Sequence, residues 1–350
     1  MRYAGLMAGG WHGVVWGRLA LLGALVCLGG LSPSRAGAQT HGHSAFWREV
    51  RAPGFWRSRE LLRQGRALAG MAAREHGASR NARLLGSIRR FRLARQLAPD
   101  DPEPLFELGR ASAALEPPSI DAGEEASRGN QAQIWLTSLR ERFPEYERAR
   151  VAFELGVLAA HAQDFPRAAE EYQRALDAAR VGEGAPSMHA NLAEVLMLSG
   201  VLDRAEAEYR EAIRLNGSRP GTGLALSLFG LAVCLDRMDE PAKALETVRR
   251  ALVAGGGADV LRSEGVFFEP AAELSYYDAL ALRALAADAD SAFERARFLR
   301  QAASALSRYL EGVAPETPFY ELAAHRLHDV RSELETLARS DGSGRRRPRR

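Results

Sequence analysis

Cysteine is scarce in this sequence, which has only Cys27 and Cys234 among its 350 residues. Cys27 lies in an N-terminal apolar segment, so a form of the chain without that segment keeps one cysteine and can form no internal disulfide. Stability must then come from buried apolar surface. Roughly 300 residues follow the N-terminal segment, which is enough for a large core or a long array of helices.

The sequence also lacks a long hydrophobic run, since a membrane-spanning helix needs about 20 residues and the longest run is Leu19–Leu31. Acidic residues are absent from Met1–Ala38, which carries three arginines and ends in Ala36-Gly37-Ala38. This order is typical of a secretory signal peptide that is cleaved after Ala38. We therefore expect a periplasmic or secreted protein with no transmembrane span after cleavage. The alternative is an uncleaved N-terminal anchor that holds the protein on a membrane.

Lysine is nearly absent, because Lys243 is the only one and arginine carries almost all of the positive charge. The formal net charge of +3 includes three arginines in the expected signal peptide and five in the tail 345–350. The part between them, 39–344, therefore has a net charge of about −5. This balance favours no nucleic-acid partner.

The common catalytic and cofactor motifs are missing. The sequence contains no G-x-x-x-x-G-K-[ST], H-E-x-x-H, C-x-x-C or G-x-S-x-G pattern, so we expect no enzyme and no cofactor. Cys234 lies beside Leu235 on an apolar face and is expected to be buried. His41 with His43, and His325 with His328, each supply two imidazoles without a third ligand, which predicts no metal site.

A helical pattern recurs three times between residues 148 and 258. Each unit has a first segment with a small residue after leucine and a second segment with small residues at spacings of three and four, which places them on one helix face. The first segments contain Leu155-Gly156, Leu192-Ala193 and Leu231-Ala232, and the second segments contain Ala168, Ala205 and Ala244. These alanines are 37 and 39 residues apart, a period close to that of helix-pair repeats.

These residues resemble the tetratricopeptide repeat family, although the tryptophan often found early in its first helix is absent from the central units. The resemblance implies an all-α fold, a right-handed superhelical solenoid of antiparallel helix pairs. Three repeats are expected in 145–258, with degenerate repeat-like helices in 57–144 and a helix pair with a capping helix in 259–339. Residues 39–56 are expected to be poorly ordered, 116–129 to form a polar loop and 340–350 to be a disordered basic tail.

The resemblance also implies that the first helices line a concave groove. The positions that would face it are mainly apolar with a few polar side chains: Phe106, Arg110, Arg150, Phe153, Val157, His161, Ala190, Glu194, Met197, Phe229, Val233 and Arg237. The carboxylate clamp of the chaperone-binding variants is absent. An exposed apolar track of this kind suits an apolar or amphipathic helix of another protein. Alternatively, Phe153 and Phe229 pack between repeats.

The expected function is a non-catalytic protein–protein interaction module or scaffold in the cell envelope. Its partner would lie in the concave groove. Two alternatives remain open: a structural subunit of an envelope complex without a groove ligand, and an enzyme whose site, in the irregular region 255–275, carries no known motif.

Overall fold

A computed structural model describes residues 54–115, 122–179, 185–263 and 266–344. Within these ranges all regular structure is helical, with thirteen α-helices, one 3₁₀ helix and no strand. The helices are α1 (Phe55–Ala72), α2 (Gly77–Leu97), α3 (Glu103–Ala113), α4 (Ala122–Arg142), α5 (Arg148–His161), α6 (Phe165–Ala178), α7 (Ala185–Leu198), α8 (Leu202–Asn216), α9 (Thr222–Arg237), α10 (Pro241–Gly255), the 3₁₀ helix Ala258–Arg262, α11 (Glu273–Ala287), α12 (Ala292–Gly312) and α13 (Tyr320–Gly344).

Consecutive helices pack as antiparallel pairs, and the pairs stack along the chain into a helical-repeat solenoid. The first helices of the pairs are α1, α3, α5, α7, α9 and α11, and α13 follows the last pair. The expected all-α solenoid is therefore confirmed. No described helix has the length and apolar content needed to cross a membrane.

Small residues bring the two helices of a pair close together. Ala168, Ala205 and Ala244 are fully buried, as their spacing predicts. A Cβ atom added to Gly156 of α5 would lie 2.7 Å from the ring of Tyr172 in α6, closer than two carbon atoms pack. The small residue after leucine therefore makes room for the large residue of the second helix.

The turns inside the three central pairs share one backbone geometry. Each has a residue with positive φ: Gln163 at 57°, Gly200 at 79° and Asp239 at 59°. In each turn the next residue donates its N–H to the carbonyl oxygen five positions earlier, over 2.9 Å. This bond satisfies a carbonyl group that the helix end would otherwise leave unpaired. The period seen in the alanines is thus present in the backbone too.

Several predicted boundaries differ from the structure. The helix α4 begins at Ala122, inside the expected polar loop 116–129, because alanine and glutamate are good helix formers and polarity alone does not distinguish a solvated helix from a loop. The helix α13 runs to Gly344, into the expected tail, and α1 begins at Phe55, inside the expected poorly ordered segment 39–56. The expected signal peptide 1–38 and the arginine-rich end 345–350 lie outside the described residues.

The last helix closes against an earlier pair. In α13, Arg326 donates from Nε to Asp236 Oδ1 over 3.1 Å and from Nη2 to Asp239 Oδ1 over 2.8 Å. Phe319, just before α13, holds its ring centroid 4.1 Å from the guanidinium carbon of Arg237. Because Asp236 and Arg237 end α9, α13 covers the end of a first helix two pairs earlier as well as packing on α12.

Candidate functional site: the face of the first helices

The residues expected to form the groove all lie on four successive first helices. Phe106 and Arg110 belong to α3, Arg150, Phe153, Val157 and His161 to α5, Ala190, Glu194 and Met197 to α7, and Phe229, Val233 and Arg237 to α9. Neighbouring first helices contact one another, α3 with α5, α7 with α9 and α9 with α11. The family positions therefore fall on adjacent helices.

The expectation of an exposed apolar track is wrong for its main members. Phe106, Val157, Met197, Phe229 and Val233 are all buried, with no more than 4% of their surface exposed. All except Phe106 belong to one hydrophobic cluster that continues into α11, α12 and α13. They are core residues, so the isolated chain does not present them to a partner.

A segment of the chain itself packs against this cluster. The connection from α10 to α11 is long, and within it Phe267 and Phe268 pack on the cluster that contains Val157 and Phe229. The ring of Phe267 stacks on His161, with 4.3 Å between centroids. We call Val266–Pro270 the internal segment, because it occupies a first-helix face expected to receive a partner.

The internal segment is also held by polar and aromatic contacts. Glu269 places Oε1 3.2 Å from Nδ1 of His161, and the side chains of both residues are largely buried. Phe268 packs its ring edge-to-face with Tyr277 of α11, with 4.9 Å between centroids. His161 was expected to face the groove, and here it contacts a carboxylate of its own chain more than a hundred residues away.

Glu194 lies in a cluster of tyrosines rather than on an open surface. Its carboxylate accepts hydrogen bonds from the hydroxyl groups of Tyr277, over 2.7 Å, and of Tyr209. Burial raises the pKa of Glu194, while the two tyrosine hydrogen bonds oppose that rise. The residue joins α7, α8 and α11, so its contacts are structural.

Arg237 is a buried ion-pair partner, which corrects its expected role as a residue that faces the groove. Its Nη2 donates to Glu273 Oε2 over 2.7 Å, and the two side chains are 0% and 3% exposed. The hydroxyl of Tyr309 is 3.4 Å from the other oxygen of Glu273. The rings of Phe319 and Tyr276 also pack over the guanidinium. No side-chain surface of Arg237 is left for a partner.

The part of the face toward the N-terminus remains accessible. Arg150 is 38% exposed and lies over the ring of Phe106, with 4.8 Å from its guanidinium carbon to the centroid. Phe153 is half-buried beside Tyr172. Arg110 reaches Glu154 over 3.2 Å, and Arg66 of α1 reaches Glu107 over 2.7 Å with 48% of its side chain exposed. We call the accessible residues Arg66, Arg150 and Phe153 the open groove.

Sequence reasoning missed one open-groove residue and all of the internal segment. Arg66 follows Gly65, as Arg110 follows Gly109 and Val157 follows Gly156, so the glycine could have identified it. A Cβ atom at Gly65 would lie 2.4 Å from the Phe91 ring, the same close approach found at Gly156. The internal segment has no repeat spacing that could have identified its contacts.

Chemistry-bearing side chains elsewhere are dispersed or buried. Cys234 is buried, and burial raises the pKa of its thiol to about 12, which keeps the unreactive thiol form at neutral pH. His325 pairs with Asp329 on an exposed face of α13. In the part of the chain that the structure describes, no three His, Cys, Asp or Glu side chains are arranged to hold a metal. His41 and His43 lie outside it.

Comparisons with known proteins give likeness of fold alone. No protein-family model matches the sequence, and no curated protein matches it. PilF of Pseudomonas aeruginosa is similar in structure, with 14% identity, a TM-score of 0.46, and coverage of 76% of this chain and 99% of PilF. A tetratricopeptide repeat protein of Parabacteroides merdae covers 82% of this chain and 99% of its own, with 14% identity and a TM-score of 0.40. MamA of Desulfovibrio magneticus covers 55% of this chain and 94% of its own, with 12% identity and a TM-score of 0.41.

Proposed function

We propose that this chain is a non-catalytic, tetratricopeptide-like interaction module that binds a segment of another protein along the face of its first helices. The observation that carries the proposal is the internal segment itself. Phe267, Phe268 and Glu269 make stacking, edge-to-face and carboxylate–imidazole contacts with His161 and Tyr277. A face that holds an aromatic and acidic segment of its own chain has the chemistry to hold one from a partner.

The open groove extends this chemistry toward the N-terminus. Arg150 pairs with Glu147 at a spacing of three, but both side chains are about 40% exposed, and such pairs contribute little. A partner carboxylate could therefore take over the guanidinium group of Arg150 at small cost and form a charge-assisted hydrogen bond. The half-buried ring of Phe153 offers an adjacent apolar contact. The partner segment is thus expected to carry aromatic and acidic residues.

The internal segment competes with any partner that uses His161. A tethered occupant acts at an effective concentration of about millimolar, so a free segment of equal affinity binds weakly until the tethered one leaves. Removing the Phe267 and Phe268 rings should therefore free the face.

A peptide of residues 263–272, labelled with a fluorophore, tests the proposal. The full chain with Phe267→Ala and Phe268→Ala should bind it, and the unaltered chain should bind it at least about tenfold more weakly because the tethered segment competes. A matched control removes the exposed Phe293 ring and should behave as the unaltered chain. Circular dichroism verifies that each variant stays folded. A folded double variant that binds no peptide would contradict the proposal.

The alternative of a structural subunit without a groove ligand has one observation in its favour, the burial of Phe229 and Val233 in the core. The two functions differ in the open groove. Replacing Arg150 with Gln and Phe153 with Ala should lower peptide affinity in the freed double variant if the groove binds a partner. If the chain is only structural, the two substitutions should change no binding.

The proposed location is the periplasm or the exterior of the cell, in agreement with the apolar and acid-free N-terminal segment. N-terminal sequencing of the protein after export should begin at Gln39. An intact Met1 on membrane-bound protein would favour the uncleaved anchor.

A further inference from the structure

The charge of the chain is distributed unevenly along the solenoid. The helix pair α1–α2, residues 55–97, has eleven arginines and two glutamates, a formal charge of +9. Residues 98–344 have twenty-six basic and forty-one acidic side chains, a formal charge of −15. A net charge averaged over the folded part conceals this contrast. One end of the solenoid is therefore strongly positive and the remainder strongly negative.

The exposed face of α2 combines arginine with leucine. Leu85 and Leu93 are 47% and 49% exposed, and Arg89 and Arg92 are exposed between them. The spacings of three, four and eight residues place all four side chains on one face of the helix. The whole of α2 contains no acidic residue. Arginine is attracted to anionic headgroups, and exposed leucine loses contact with water when it enters the headgroup region, so both residue types on this face favour an anionic membrane surface.

The start of α1 adds an exposed tryptophan to the same end of the pair. The hydroxyl of Ser58 donates to the Ala94 carbonyl oxygen over 2.9 Å, so the first turn of α1 lies beside the last turn of α2. Trp56 there is 58% exposed, next to the exposed Arg57. Tryptophan and arginine favour the boundary between headgroups and acyl chains. The chain also enters here from the N-terminal segment that contains the apolar run Leu19–Leu31.

We propose that the exposed face of α1–α2 docks on the surface of an anionic lipid bilayer. The arginines are attracted to the headgroups, while Trp56, Leu85 and Leu93 remove apolar surface from water. The negative remainder of the solenoid is repelled by the same surface, so it would point away from the bilayer. A nucleic acid would attract the arginines too, but exposed leucines offer nothing to a phosphate backbone, which favours the lipid surface.

Vesicle binding by the full chain tests the proposal. Vesicles are made of phosphatidylcholine alone, or of equal parts of phosphatidylcholine and phosphatidylglycerol. The unaltered chain should prefer the anionic vesicles at low salt and lose that preference as salt screens the charges. Replacing Arg57, Arg89 and Arg92 with Gln should reduce partition into anionic vesicles about a hundredfold, since each arginine near such a surface contributes about 1 kcal/mol.

The matched control removes three exposed arginines from the negative remainder, Arg250→Gln, Arg300→Gln and Arg331→Gln, and should change partition little. The variant Trp56→Ala with Leu93→Ala should weaken binding even in high salt, because its contribution is apolar. Amide hydrogen exchange of α1–α2 reports binding at this helix pair itself, whereas insertion of the apolar run Leu19–Leu31 into vesicles would leave that exchange unchanged. Exchange of α1–α2 should slow on anionic vesicles and remain unchanged on neutral ones.

Three results would overturn this docking surface. The first is an equal loss of partition in the variant without Arg57, Arg89 and Arg92 and in its control, which would reveal an effect of total charge alone. The second is unchanged exchange of α1–α2 on anionic vesicles. The third is binding of the chain to duplex DNA without binding to anionic vesicles, which would assign the same arginines to a nucleic acid.

Discussion

Replacing Arg237 with Met distinguishes two roles for this residue, partner in a buried ion pair or solvated side chain of the groove. The substitution leaves the carboxylate of Glu273 buried, with 3% of its side chain exposed, and removes the 2.7 Å bond from Arg237. Of these contacts to the Glu273 carboxylate, only the one with the hydroxyl of Tyr309, 3.4 Å away, remains. An uncompensated buried charge costs about 3–5 kcal/mol. If Arg237 were a solvated groove residue, its loss would cost less than about 0.5 kcal/mol.

The assay is urea unfolding followed by circular dichroism at constant pH. The midpoint of Arg237→Met should fall while the slope stays constant, since the slope reports the surface exposed on unfolding. Arg214→Met is the matched control, because Arg214 forms an exposed pair with Glu211, and it should cost at most about 1 kcal/mol. The double variant Arg237→Met with Glu273→Leu should recover most of the loss, since it removes both buried charges.

An Arg237→Met variant that unfolds at the same urea concentration as the Arg214 control would contradict a buried ion pair. A double variant as unstable as the single one would contradict it equally. Nε and Nη1 of Arg237 have no hydrogen-bond partner among the described residues. These unsatisfied donors lower the stability of the folded chain, and the double variant removes them too.

Three further predictions follow from burial. Burial raises the pKa of Glu194, so the folded chain binds the carboxyl proton more tightly than the unfolded chain. The contribution of Glu194 to stability therefore falls as pH rises from its ordinary pKa through the raised one. Glu194→Gln should lack this loss in urea melts at a series of pH values. Ala168→Leu, and likewise Ala205→Leu, should cost about 1–3 kcal/mol because both sites are fully buried; unchanged melting would show the helix register to be wrong. Phe229→Ala should cost about 3–5 kcal/mol and Phe153→Ala less, because the Phe229 ring is buried and the Phe153 ring only half-buried; equal thermal shifts would contradict this assignment.

The helix pairs could be predicted from the sequence because their packing is local. Two helices joined by a short turn must meet at small residues, and the meeting points recur at the period of the repeat. Ala168, Ala205 and Ala244 carry that period and are fully buried. Patterns within thirty or forty residues contain this information.

The exposure of the groove could not be predicted in the same way. The positions implied by the resemblance identify the face on which Val157 and Phe229 lie, but not whether another part of the chain covers it. Phe267 and Phe268, which lie outside any repeat, pack on the hydrophobic cluster that contains both residues. Contacts between residues far apart in sequence leave no periodic trace, and so the core was mistaken for a surface. The positive charge of α1–α2 was missed because the net charge of residues 39–344 adds this positive end to the negative remainder of the solenoid.

The closure of α13 on the end of α9 changes how the solenoid would respond to unfolding forces. In a simple stack each pair touches only its neighbours, so unfolding can begin at an end and proceed pair by pair. Arg326 ties α13 to Asp236, ninety residues earlier. The pairs from α9 to α13 are therefore linked into a loop of contacts. His161 of α5 and Glu194 of α7 also contact Glu269 and Tyr277, so the cooperative block begins at α5. Under tension only the stack from α1 to α4 should unfold pair by pair, while the rest unfolds as one unit.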